Sequence, residues 1–85
     1  MTLSRDEMIY FLKKNFKNEE RVSRDRMDLA IGEFWRNHST WTVRDRRVAM
    51  QKNNLIQPSK MSKMDGMGRS VVFEYIVTYN YYYEK

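Results

Sequence analysis

The feature that most constrains this chain is a change of hydrophobic period. Up to about Asn53 the apolar residues recur at helical spacing, and from Val71 they recur at every second residue. No single element accommodates both, because a helix aligns side chains every 3.6 residues and a strand every two. In the helical part, Met8, Ile9, Leu12 and Phe16 form one stripe, and Met27, Ala30, Ile31 and Phe34, with Trp35 beside them, form a second. In the alternating part, Val71, Phe73, Tyr75, Val77, Tyr79 and Tyr81 share one face, with Glu74, Thr78 and Asn80 on the other. The pattern predicts an α+β chain in which the helices come before the strands.

Local signals place the boundaries. Ser4–Glu7 reads SRDE, a capping box in which the hydroxyl accepts a backbone N–H and the carboxylate reaches back to the cap. Lys13, Lys14 and Lys17 suit the C-terminal end of that helix, and NEE at 18–20 interrupts it. Val22 precedes Ser23, an N-cap for a second helix with Asp25 in its first turn and His38 at its end. Ser39, Thr40 and Thr42 punctuate the chain before a third helix, where TVRD reads as a weaker box. The predicted helices span about 5–17, 24–38 and 43–53, and the short gap between the second and third is that of a helix-turn-helix. Pro58 and the Asp65-Gly66 pair end helical character. A hairpin over about 55–79 is expected, one long strand pairing antiparallel with a short one near Leu55–Gln57, followed by a Tyr-rich tail at 80–85.

Eighty-five residues suit a single domain over 1–85, and 41% hydrophobic residues suffice for its core. Cysteine is absent, which removes disulfides and thiolate chemistry. No run nears the roughly 18 apolar residues of a membrane span, and Arg5, Asp6 and Glu7 interrupt anything like a signal peptide, so no membrane partner and an intracellular, cytoplasmic and nucleoid-associated location are expected. The net charge of +5 is unevenly held: residues 42–70 contain seven of the 16 Lys/Arg and two of the 11 Asp/Glu. That stretch accounts for the whole excess, as a localised polyanion-binding surface requires.

Catalysis is not expected. His38 is the one histidine and has no partners for a metal, and a helix C-terminal role with the dipole suits it better. Ser39 lacks a base and an orienting group in order, and Gly32, Gly66 and Gly68 form no phosphate loop. The sequence points to no cofactor, no metal and no small-molecule substrate.

Val22-Ser23 opening the second helix, TVRDRRVAM from Thr42 to Met50, NNLI from Asn53 to Ile56 and the basic hairpin after them resemble the winged helix-turn-helix DNA-binding family, from about Leu3 to Thr78. Members often start the recognition helix with a Thr-Val-Arg-Arg type run, carry an apolar residue about seven positions after the Val, and leave through Gly-Leu-Ile. Val43, Met50 and Asn54-Leu55-Ile56 fill those places. Arg47 stands where the family commonly has an apolar residue, and Asn54 stands where it has glycine, a replacement allowed because Asn also visits the left-handed region. The resemblance implies a three-helix winged helix-turn-helix with a C-terminal wing, and a sequence-specific binder of double-stranded DNA acting as a small transcriptional regulator. A viral or plasmid origin would suit the size.

Within that reading, Thr42, Arg44, Arg46, Arg47, Gln51 and Lys52 are the candidates for groove contact. Arg can bond guanine bidentately, Gln can read adenine and Lys neutralises phosphate. Lys60, Lys63 and Arg69 around the wing tip would follow the backbone, interleaved with Met61, Met64 and Met67. A plain solvated face is the usual fate of such charges, and the short turn, the basic hairpin and the segregated charge weigh against it. The helix admits two registers. With Val43 and Met50 inward, Arg44, Val48, Gln51 and Lys52 point out and Arg47 sits on the boundary; with Trp41, Val48 and Leu55 inward, Arg46 and Arg47 turn out. At least two arginines reach solvent in either register. Tyr81, Tyr82 and Tyr83 lie beyond the expected hairpin partner and are candidates for a homodimer contact. Two rivals remain open: an interaction module that binds an acidic protein partner, and an RNA or single-strand binder stacking bases on the tyrosines.

Overall fold

The computed structural model describes residues 4–38, 40–63 and 70–80. The order of elements is α1 (Arg5–Asn15), β1 (Arg21–Ser23), α2 (Arg24–Phe34), α3 (Val43–Lys52), β2 (Ile56–Lys63) and β3 (Ser70–Val77). The fold is α+β, with three helices and one antiparallel sheet of order β1-β3-β2, a layout compatible with a winged helix. Residues 39 and 64–69, with the tail 81–85, fall outside this description, so the Asp65-Gly66 turn and the tail tyrosines do too.

Each helix begins at the cap residue its sequence offers. Ser4 accepts the N–H of Glu7, Ser23 accepts that of Arg26, and Thr42 accepts that of Asp45 at 3.0 Å. The full reciprocal box forms only at Thr42, whose N–H is taken by Asp45 Oδ2 at 3.2 Å; at Ser4 only the hydroxyl half forms. The relative strengths are thus the reverse of those expected from sequence. Helix α3 ends in a Schellman motif: Leu55 N–H bonds Met50 O at 3.0 Å, Asn54 N–H bonds Gln51 O at 3.0 Å, and Asn54 takes φ 61°. Asn54 therefore stands in for the glycine of other helix ends.

Three boundaries differ from expectation. Helix α2 stops at Phe34, because Trp35 leaves the helical path to lie 4.9 Å from Phe11 and 4.7 Å from Phe34 between ring centres. The connection to α3 is consequently residues 35–42, longer than the few residues expected. His38 is exposed beyond the helix end, and its backbone N–H bonds Trp35 O at 2.9 Å, so its placement at a helix terminus does not hold. Strand β2 runs through Pro58 to Lys63, because the order β1-β3-β2 makes it an edge strand on which proline costs no ladder bond. The register shifts between Pro58 and Met61 mark a bulge there.

Strand β1 has no signal of its own in the sequence. It pairs Val22 with Tyr75, making β3 the central strand. The core lies where all three helices meet the body end of that strand: Met8, Phe11, Leu12, Met27, Ile31, Trp35, Met50, Leu55, Ile56 and Val77 are buried, with Tyr75 and Tyr79 beside them. The strand ends at Val77, where Thr78 N–H turns to Leu55 O at 2.8 Å, and Phe73, further out along the hairpin, is 45% exposed despite sharing the alternation.

Candidate nucleic-acid interface

Helix α3 has two registers open to it by sequence, and the fold takes the one with Val43 and Met50 inward. Met50 is fully buried and Val43 partly so, while Trp41 lies ahead of the helix and is only partly covered. The three arginines then have three different fates.

Arg46 is 3% exposed, one helical turn after Val43 and one before Met50. Its guanidinium carbon sits 4.5 Å from the centre of the Trp35 ring. A guanidinium is flat and weakly hydrated, so an aromatic face can replace part of its water. Burial pushes its pKa down, and the Glu7 carboxylate on α1 works the other way. Glu7, the residue that leaves its capping box half made, is in this way a counter-charge for Arg46. Arg47 joins Asp28 of α2 through Nη1 and Oδ1, with its side chain 13% exposed. That contact ties the second helix to the third. Arg46 and Arg47 are therefore corrected from candidate contacts to parts of the body, and the expectation that at least two arginines of α3 stand free in solvent fails.

Arg44 is the exposed one. Lys52, two turns on, is exposed as well, and neither takes part in an ion pair or hydrogen bond among the described residues. Val48 between them and Gln51 are half-buried, and Thr42 is exposed with its hydroxyl committed to the cap. The outer face of α3 thus presents Arg44 and Lys52, spanning about 12 Å of helix axis, with Gln51 alongside. In the hairpin, Lys60 is exposed with Nζ 3.9 Å from Glu74 Oε2, and Lys63 closes β2 opposite Ser70. Arg69 and the candidate dimer residues Tyr81, Tyr82 and Tyr83 lie outside the described residues.

No protein-family model, no curated protein and no solved structure matches the chain. Its function has to be inferred from its own geometry.

Sequence reasoning missed the surroundings of the free cations. Trp41 from the α2–α3 connection, Met8 from α1 and Val48 and Ala49 of α3 line an open groove of about 600 Å³, with Arg44 and Lys52 on it. Asn53 stands there too, its side-chain amide donating to Ala49 O at 2.8 Å and its Oδ1 accepting from Arg5 Nε at 3.4 Å. The available signal is Trp41, Arg44, Val48 and Lys52 at steps of three and four, a row that runs from the connection onto one face of α3. Among the described residues, no three His, Asp or Glu side chains gather as a metal site, and no helix is long and apolar enough to cross a membrane.

Proposed function

We propose that this chain is a winged helix-turn-helix protein that binds double-stranded DNA, with α3 as the recognition helix and the β2–β3 hairpin as the wing. The observation that carries the reading is the outer face of α3, where Arg44 and Lys52 stand exposed and, among the described residues, unpaired, while the helix's other cations are held inside. Unpaired cations on a helix narrow enough for the major groove can neutralise phosphate and reach base edges without first breaking an internal contact. The order of elements supports it, since a helix pair followed by a two-stranded hairpin is what a winged helix requires. The C-terminal tyrosines would join two copies, which would then read half-sites about one helical turn apart. Such a protein would act as a transcriptional regulator.

Setting Arg46 and Arg47 aside leaves five cations between residues 42 and 70: Arg44, Lys52, Lys60, Lys63 and Arg69. If each neutralises one phosphate, log affinity falls with log salt at a slope of about −4 to −5. Selection from random duplex DNA, then anisotropy titrations of the recovered sequence at several salt concentrations, tests this. A recovered motif with that slope is the expected result. An affinity indifferent to salt, or equal binding to single strands, would rule the reading out.

A further inference from the structure

The groove beside α3 has a chemistry of its own. Met8, Trp41, Val48 and Ala49 give its lining an apolar part. Arg44 and Lys52 supply two positive charges with no partner among the described residues. The one carboxylate on the groove, Asp45, is committed to the Thr42 N–H in the capping box and to the positive end of the helix. Trp41 lines the groove, while its Nε1–H, like that of Trp35 in the core, is shut off from solvent and has no hydrogen-bond acceptor among the described residues. The volume, about 600 Å³, falls inside the range of small-molecule sites.

We propose that this groove binds a small organic carboxylate with a ring-sized apolar body, and that its occupation excludes DNA from α3. The carboxylate would lie between Arg44 and Lys52, and the ring would cover Met8, Val48 and Trp41. Because Arg44 and Lys52 cannot serve a bound carboxylate and a phosphate backbone together, the ligand is a competitive effector. The exclusion of DNA rests on the function proposed above; binding in the groove does not.

The test uses the full chain, isotopically labelled, in nuclear magnetic resonance titrations with benzoate, indole-3-acetate and 1-naphthoate, each beside its neutral amide. Trp41→Phe identifies the Trp41 indole resonance, which is otherwise accompanied only by that of Trp35. At least one carboxylate is expected to shift the Trp41 indole N–H and the amides of residues 44–53 saturably, and its amide to bind at least about tenfold more weakly. Arg44→Gln and Lys52→Gln are each expected to weaken the carboxylate by about tenfold, with the remaining spectrum unchanged. Saturable shifts from none of the three carboxylates, or equal affinities for acid and amide, would overturn the site. In a second arm the bound carboxylate is titrated against duplex DNA. Displacement supports the effector role, and simultaneous binding overturns it. A chain that takes the carboxylate and binds no duplex leaves the groove standing and removes the DNA reading instead.

Discussion

On the inner face of α3 the Arg46 guanidinium is covered by the Trp35 ring at 4.5 Å, whereas on the outer face, two residues earlier, Arg44 is exposed and without a partner among the described residues. The residue type is the same and the helix is the same. What differs is the neighbour each meets, an aromatic ring and a carboxylate-bearing helix on one side and open solvent on the other. Formal charge counts both equally, yet only the outer one is available to a polyanion. Substitutions on the two faces should therefore separate stability from binding.

The largest effect is expected from Arg46→Ala. It removes a buried stem and the stacked guanidinium from against Trp35, and should destabilise the fold by about 2–4 kcal/mol, read as a lower urea midpoint. Arg46→Met should restore most of that stability, because a flexible apolar side chain fills the space without bringing a charge into the core. DNA affinity of the Met variant should match that of the parent. A loss of affinity in a stable Arg46→Met protein would mean that the inner arginine reaches the nucleic acid after all.

Arg44→Ala should behave in the opposite way. Stability should change by no more than about 0.5 kcal/mol, as is usual at an exposed site with no partner. Affinity for the selected sequence should fall by about 1–3 kcal/mol if Arg44 makes a bidentate base contact, with little change for unrelated duplexes. Parallel titrations of the selected and a scrambled duplex distinguish this from a general loss.

Asp28→Ala converts one kind of arginine into the other. It removes the carboxylate that holds Arg47 and should cost about 1–2 kcal/mol, less than a fully buried pair because Asp28 keeps a side-chain exposure of 32%. Arg47, released beside the outer face, should then add a phosphate contact and steepen the salt slope by about one. An unchanged slope would place the freed guanidinium out of reach of the backbone.

Much of this architecture is legible from local chemistry. Ser4, Ser23 and Thr42 cap helices where expected, and Asn54 enters the left-handed region at the exit of α3, where the winged-helix resemblance has a glycine and asparagine is tolerated. The parts that local chemistry does not reveal depend on partners distant in sequence. Strand β1 has only three residues, too few for any period, and exists because Val22 finds Tyr75 on the far side of the chain. Trp35 leaves α2 early for the same kind of reason, drawn to Phe11 and then capped by Arg46. A row of arginines reads as solvent-facing until an aromatic ring is known to lie beneath one of them. The position of Arg46 between Val43 and Met50 is the available hint, and its charge argues against taking it. Pro58 reads as a breaker because the edge position of β2 is a property of the whole sheet.

The smallest expected effect concerns Lys60, a cation of intermediate kind. It is exposed yet lies 3.9 Å from Glu74, whose other oxygen accepts the Ser59 hydroxyl at 3.0 Å. A pair so open to water contributes under about 1 kcal/mol, so Lys60→Ala should leave the urea midpoint nearly unchanged. Its effect should appear in binding, as a modest loss shared by all duplex sequences and a salt slope flatter by about one. Glu74→Gln supplies the converse. With the carboxylate neutralised, Lys60 becomes an unpaired cation like Arg44, and affinity for every duplex should rise slightly at low salt and converge with the parent as salt increases. If Lys60→Ala instead lowers affinity for the selected sequence alone, the wing reads bases, and the division of labour between a specifying helix and a positioning hairpin is wrong.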